Sequence, residues 1–386
     1  IRHLIKQSPP IFLMFLVSES GEISLKSDAV RRKFEGKLIE NIRRAIPGAV
    51  VRKLGGKLEI EADNSSMEKL RRIFGIAWIA RAERLNSSDM RDIEEFFTKR
   101  YESWIPEGKS FAVRVRRVGN HPYTSVDLAK MLGSIARRKV DLKNPDVEVF
   151  VEVRGDKSYF YVERERGPGG LPLGTAGNLV ALISGGIDSP VAAWMMMRRG
   201  ASITALYAMS PLAPEGFERF VKVIRVLREW HIGEELRAYA YTANYEIPAD
   251  VAKYAYVLER RIMLRVANEL AKRVGAKGIV TGDSLGQVSS QTLDNLMAID
   301  AASELPVYRP LISMDKDQIS NIAREIGTFS ISTERTAQEC GSLTICVKKP
   351  VTKARLDKVL EIERRIDAEE IAKRSIETLQ DVTSII

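Results

Sequence analysis

The chain has 386 residues, 45% of them apolar and 29% charged, and a formal net charge of +9. This composition excludes a disordered chain, and no apolar stretch is long enough to span a bilayer as a helix. Two cysteines without framework spacing exclude a disulfide scaffold and point to a reducing, cytoplasmic setting. The charge is unevenly placed. Residues 1–170 hold 33 Lys and Arg against 24 Asp and Glu, an excess of nine, whereas the remaining 216 residues hold 27 of each. A basic part joined to a neutral part suggests a polyanion holder beside a module with a different task.

Residues 1–80 open on an apolar run from Ile11 to Val17, followed by a basic amphipathic helix from about Asp28 to Ala45. Strand-like pieces in "AVVRKLGGKLEIEA" and a helix over "SMEKLRRIFGI" complete the pattern of a small α+β domain. Residues 81–170 repeat the mixture. "FAVRVRRVG" alternates as a strand, "SVDLAKMLGSIARRKV" reads as a helix, and "VEVFVEVRGDKSYFYVER" reads as a hairpin around Gly155-Asp156. The basic clusters Arg114, Arg116, Arg117 and Arg137, Arg138, Lys139, with His121 as a base-stacking ring, are the expected RNA contacts of this part. On a strand Arg114 and Arg116 share one face and Arg117 takes the other. "RGPGGLPLGTAGN", residues 166–178, marks a boundary rich in glycine and proline.

From residue 171 to 386 the rhythm becomes strand, helix, strand, helix. "LVALI" leads into a helix over 189–199, "SITALYAM" into "GFERFVKVIRVLREW", and "ELRAYAY" into a long helix from about Asp250 to Val274. "KGIVT" then precedes a helix near Gln291. Such alternation predicts a doubly wound parallel sheet, in which ligands bind at the carboxyl ends of the strands.

The first of those strands ends in Ser184-Gly185-Gly186-Ile187-Asp188-Ser189. A glycine loop opening into a helix N-terminus attracts phosphate, because its amides lack partners and the helix dipole favours negative charge. Ser184 and Ser189 add hydroxyls, and Gly185 and Gly186 allow close approach. The pattern is not the lysine-bearing P-loop, and no G-x-G-x-x-G follows a strand. Asp188 is informative: a carboxylate beside phosphates requires a divalent cation between them, which implies Mg²⁺.

S-G-G-x-D-S after a strand resembles the pyrophosphatase-type PP-loop of the adenylyltransferases, which split ATP between the α and β phosphates. "VTGDSLGQVSSQTLDNLMAID", "RPLISMDKDQISNIAREIGT" and "SGEISLKSDAVRRKFEGKLIENI" resemble segments of the tRNA 4-thiouridine synthetases, and "VRRVGNHPYTSVDLAKMLG" resembles their THUMP domain. The resemblance implies three domains: a ferredoxin-like domain over 1–80, a THUMP RNA-binding domain over 81–170 and a PP-loop domain over 171–386. It implies that ATP is held by Ile183, Ser184, Tyr207, Ala208, Arg260, Gly282 and Gln291. The implied activity is adenylation of the C4 oxygen of uridine 8 in tRNA, with AMP then displaced by persulfide or sulfide sulfur. Another PP-loop RNA thiolase is the alternative, although such enzymes often carry paired C-x-x-C motifs and this chain has only Cys340 and Cys346.

In "QECGSLTICVKKP", Cys340 matches the family's reactive cysteine, and Cys346 either resolves its persulfide or packs in an apolar strand. Some members continue into a rhodanese domain, whereas this sequence stops at Ile386. The implied sulfur source is therefore a separate donor protein (a cysteine desulfurase or rhodanese-type carrier) or free sulfide. A homodimer is implied as well. The family often has glutamate where Asp283 stands, which leaves the role of Asp283 open.

Overall fold

The computed structural model describes residues 13–211, 215–334 and 347–386. Cys340 and Cys346 lie outside them, as does any reading of their roles. The chain divides into two compact units, Ile1–Gly170 and Leu171–Ile386.

In the first unit, β1 (Leu13–Glu19), β2 (Val50–Lys53), β3 (Lys57–Ala62), β4 (Ile76–Arg81) and β9 (Glu165–Arg166) form a sheet of order β2-β3-β1-β4-β9. Its neighbouring strands all run antiparallel. Between the strands lie α1 (Gly21–Ser24), α2 (Asp28–Ala45) and α3 (Ser66–Leu70). The expected helix over "SMEKLRRIFGI" is therefore only five residues long. Arg71 and Arg72 turn back onto Met67 and Lys69, and the chain is already in β4 by Ile76.

A second sheet of order β5-β8-β7-β6 uses β5 (Glu83–Leu85), β6 (Phe111–Val118), β7 (Val147–Arg154) and β8 (Lys157–Tyr161), with β6 and β7 parallel. Helices α4 (Met90–Trp104) and α5 (Ser125–Ile135) pack on it around Phe97, Phe111, Leu128 and Val151. Thr124 and Asp127 close a capping box at the start of α5. Helix α5 ends at Ile135, so Arg137, Arg138 and Lys139 follow it instead of extending it.

Buried charge joins the two sheets. Glu59, fully buried, accepts from Arg52 and Arg84 (2.8 Å each) and from the Tyr159 hydroxyl at 2.7 Å. Glu152 accepts from Lys57, from Arg154 Nε at 3.0 Å and from the Tyr161 hydroxyl at 2.8 Å. Burial draws the Lys57 ammonium down to about 8 even with that carboxylate beside it.

The second unit holds β10 (Asn178–Leu182), β11 (Ser202–Met209), β12 (Arg237–Thr242), β13 (Ile279–Val280), β14 (Val307–Tyr308) and β15 (Gln380–Asp381), in the order β14-β13-β10-β11-β12-β15. Five strands are parallel and the short edge strand β15 runs antiparallel to β12. β10 and β11 are almost continuously buried, as expected for strands covered on both faces. The covering helices are α6 (Asp188–Arg198), α7 (Gly216–Trp230), α8 (Ala255–Val274), α9 (Leu293–Asp300), α10 (Lys316–Ile326), α11 (Phe329–Ser332), α12 (Leu356–Ile366) and α13 (Ala368–Glu377). The expected helix from Asp250 begins as a 3₁₀ turn, Ala249–Tyr254, before α8. Gly275 ends α8 and Gly327 ends α10, each in the left-handed conformation (φ +67° and +90°). No helix of the described residues is long and apolar enough to cross a membrane.

Candidate functional site

The carboxyl ends of β10, β11 and β13 open into a cavity of about 690 Å³, floored by the 184–189 loop. Within that loop the Ser184 N–H donates to Ser189 Oγ at 2.9 Å, and the Gly186 N–H donates to Ser184 Oγ at 3.2 Å. The two hydroxyls lie 3.1 Å apart and fold the loop back on the first turn of α6. Ser184 and Ser189 thus shape the loop as well as facing the cavity.

Ile183, Tyr207, Ala208, Arg260, Gly282 and Gln291 all line the same cavity. Six expectations drawn from segments up to 108 residues apart therefore converge on one place. Tyr207 is buried at the end of β11 and stacks on Phe220 at 4.7 Å. Burial pushes its hydroxyl up to about 12, so it stays protonated. A Cβ at Gly216 would lie 2.5 Å from that hydroxyl. Arg260 and Arg261 separate sharply. Arg260 faces the cavity, whereas Arg261, 1% exposed, bonds both oxygens' worth of Glu363 through Nε and Nη2 (2.8 and 2.7 Å). Burial opposes ionisation of Glu363, but bonds from Arg261 and Arg265 hold its carboxyl down to about 2.

Gly282 owes its identity to packing. A Cβ there would stand 2.7 Å from Ser189 N and 2.8 Å from its Cα, so only glycine lets α6 seat against β13. The next residue, Asp283, is 6% exposed and is the hub of the wall. It accepts from Thr281 Oγ1 at 2.7 Å, Arg309 Nε at 3.0 Å and Gln291 Nε2 at 3.4 Å. Burial raises its carboxyl, but the charges of Arg260 and Arg309 and the Thr281 bond bring it below its ordinary value.

Asp188 stands at the start of α6, where Lys316 Nζ lies 2.9 Å from Oδ1 and Gln287 Nε2 lies 3.0 Å from Oδ2. The carboxylate thus meets an ammonium from the first residue of α10. Sequence reasoning missed Lys316, Gln287 and Arg309. A capping box is readable in Asp315-Lys-Asp-Gln318, but a salt bridge across 128 residues has no local signal. Among the described residues no group of three His, Cys, Asp or Glu side chains stands ready for a metal.

The first unit has a cavity of its own, about 730 Å³, beside the Gly55-Gly56 turn (φ +63° and +74°). Five cations, Arg31, Lys53, Lys57, Arg116 and Arg154, face two carboxyls, Glu19 and Glu35. Glu19 is 5% exposed with Oε2 unpartnered, and burial, then Glu35, raises it to about 7.

Of the expected RNA contacts only Arg116 lines this cavity. Arg114 is spent on Glu148 at 2.7 Å and the Leu142 carbonyl at 2.9 Å. The His121 Nε2–H donates to the Gly155 carbonyl at 2.8 Å, which leaves Nδ1 to accept from Arg117 at 3.3 Å. The ring is therefore tethered. Arg137 and Lys139 are exposed, and Arg138 stands over the Tyr101 ring. Lys53, Lys57 and Arg154, which no cluster in the sequence marks out, line the cavity as well, Lys53 paired with Glu35 and the other two with Glu152.

A parallel sheet whose central strand ends in a glycine loop, with polar side chains arriving from both neighbouring strand ends, defines an α/β phosphate-binding protein of the PP-loop type. Comparison with known proteins sharpens this. The family model for the thiamine biosynthesis protein ThiI matches residues 174–368, the THUMP domain model matches 87–163, and the ThiI ferredoxin-like domain model matches 14–80. A probable tRNA sulfurtransferase from Sulfurisphaera tokodaii is 37% identical over 92% of this chain and 96% of that protein. One from Saccharolobus islandicus is 38% identical over 94% and 99%. A solved 4-thiouridine synthetase–RNA complex with bound ATP is 30% identical, covering 96% of this chain and 99% of that one, with a TM-score of 0.83. The chain belongs to the ThiI family.

Proposed function

We propose that this protein is an ATP-dependent tRNA sulfurtransferase that makes 4-thiouridine at position 8. The observation that carries the reading is the convergence of the 184–189 loop, Arg260 and Tyr207 on one cavity of nucleotide size, in a chain 30% identical to an ATP- and RNA-bound 4-thiouridine synthetase. ATP lies with its adenosine over Tyr207 and Ala208 and its terminal phosphates over the loop. Ile183, Ser184, Gly185, Gly186 and Ser189 supply backbone and hydroxyl donors, and Arg260 pairs with a phosphate oxygen.

A site with one loop carboxylate and no protein cage suits an ion that keeps most of its ligands from phosphates and water. Asp188 would hold such a Mg²⁺, whose chemistry is to neutralise triphosphate charge. In this reading the cavity excludes water, and the O4 of uridine attacks the α-phosphorus, with pyrophosphate as leaving group. Cys340 would deliver the outer sulfur of a persulfide passed to it from a donor protein's persulfide, whereas free sulfide would displace AMP directly without that cysteine. The reading divides the chain into a ferredoxin-like domain, a THUMP domain and a PP-loop domain, with the first two supplying most of the RNA affinity. It puts the enzyme in the cytoplasm as a homodimer.

Asp188→Asn tests the site. It preserves shape and removes charge, so tRNA-dependent AMP release should fall at least ~100-fold while the circular-dichroism spectrum stays unchanged. Unimpaired AMP release by this variant would sink the assignment.

A further inference from the structure

Five cations line the first-unit cavity, and four of them are already matched. Lys53 Nζ lies 3.2 Å from Glu35, and Arg31 reaches Asp28 at 3.0 Å and Glu35 at 3.6 Å. Lys57 and Arg154 share Glu152, and Arg154 also donates to the Leu54 carbonyl at 2.7 Å. Arg116 differs. It is exposed, and among the described residues it has neither an ion pair nor a hydrogen bond.

Glu19 is its counterpart among the carboxyls. It ends β1 with 5% of its surface exposed, and its Oε2 has no hydrogen-bond partner. The charged groups that share its cavity come from five elements: Lys53 from β2, Lys57 from β3, Arg31 and Glu35 from α2, Arg116 from β6 and Arg154 from β7. The four matched cations bond other carboxylates, so none of them is bonded to Glu19. A buried carboxyl without bonded donors holds its proton, because the charged form is the one that burial penalises. Burial, and then the Glu35 charge, accordingly raise it to about 7.

Charge also identifies the ligand. An unmatched arginine beside a cavity of about 730 Å³ attracts an anion, and residues 1–170 carry the whole positive excess of nine. Such an excess suits a polyanion better than a small ion. A phosphate diester pairing with Arg116 brings a negative charge to a cavity that already contains two carboxyls. Like charges gathered in one site force a carboxyl to protonate, and Glu19 is the one with no bonded cation to oppose this.

We infer that the first-unit cavity is a proton-linked phosphate site, in which a backbone phosphate of the RNA pairs with Arg116 and Glu19 enters the complex protonated. The inference rests on the reading that the first unit holds tRNA. It gives the pH dependence of RNA affinity a definite sign. Below about 7 Glu19 is protonated in free and bound protein alike, and affinity is level. Above about 7 binding must restore the lost proton, and affinity falls by up to about tenfold per pH unit.

The experiment measures tRNA affinity by fluorescence anisotropy from pH 5.5 to 8.5 at fixed ionic strength. The proteins are the full wild-type chain and Glu19→Gln, each with and without Arg116→Ala. Wild-type binding at pH 5.5 tests the reading of the first unit, and its absence would overturn that reading and the inference with it. For Glu19 the quantity read is the ratio of wild-type to Glu19→Gln affinity, in which Lys57, drawn down to about 8, and the histidines cancel. The ratio should stay within about twofold of one up to pH 6.5 and drop about fivefold or more by pH 8. With Arg116→Ala in both proteins, less than half of that drop should remain. Tight binding with a level ratio would overturn the inference and leave the reading of the first unit standing. So would a drop of the same size without Arg116. Calorimetry of the wild type in two buffers of different ionisation heat checks the proton without a variant: about one should be taken up per tRNA bound at pH 8, and none at pH 8 would overturn the inference.

Discussion

The two cavities have nearly equal volumes, about 730 and about 690 Å³, and are made of different material. The one in the first unit draws its field from side chains, five cations against two carboxyls. The one in the second unit adds backbone to side chains: a glycine loop and the amino end of α6, seated close because Gly282 has no side chain, stand beside Asp188, Glu259, Arg260 and Asp283. Side-chain charge is screened by salt and changes with pH, whereas backbone dipoles are fixed by the fold. The first cavity should therefore answer to salt and protons, and the second to added atoms.

The sharpest contrast lies within the second unit, between neighbours. Arg261→Met removes one partner of a buried ion pair and should cost about 3 kcal/mol in chemical denaturation, with Arg265 still holding Glu363. Arg260→Met should leave stability nearly unchanged and weaken ATP binding roughly tenfold. Equal stability losses for the two would erase the distinction drawn between them. Next in size is Gly282→Ala, whose methyl meets Ser189 backbone. It should cost about 2 kcal/mol and lower ATP affinity at the same time, read by melting and by dialysis. A stable variant with normal affinity would show that α6 can move aside.

In the first unit the effects are smaller and depend on conditions. Arg116→Ala should lower the slope of log K against log salt for tRNA binding by about one, with no change in ATP affinity. The smallest effect concerns protons. Glu19 is raised to about 7 in the fold against 4.5 in the unfolded chain. Its contribution to stability is thus full below pH 4.5 and is lost as the pH rises through 7. Glu19→Gln should match the wild type in melting temperature at acid pH and surpass it increasingly up to about pH 7, with a level difference above. A constant difference from pH 4 to 9 would place the Glu19 proton elsewhere.

Much of the second unit was legible because its signals are local. Helices with capping residues, fully apolar strands and a glycine loop each announce themselves within a few residues, and their alternation dictates a sheet with its ligand edge. What was not legible is long-range charge. Lys316 reaches Asp188, and Arg309 reaches Asp283, only because the sheet order sets β13, β14 and β10 side by side. Gly282, expected to touch ATP, lines the cavity, and the close packing of α6 against it has no local signal. In the first unit the clusters of basic letters do not announce their partners, for the complementary reason. Adjacent arginines on one strand point to different neighbours: Arg114 pairs with Glu148 while Arg116 lines the cavity, beside Lys53 and Lys57, which pair with Glu35 and Glu152.

The glutamates between the two sheets of the first unit have a further bearing. Glu59 takes arginines from β2 and from Arg84 in β5, and its third partner is a tyrosine of the other sheet. Glu152 reciprocates from β7, reaching Lys57 on β3. If the opposite sheet melted, Glu59 would lose Arg84 and Tyr159 and Glu152 would lose Lys57, so the unfolding of either sheet removes bonds from the other. Two family signatures read along the chain thus denote one cooperative folding unit. Over evolutionary time their interface can change only by concerted substitution, a lysine and its glutamate together, which ties the history of one half to that of the other.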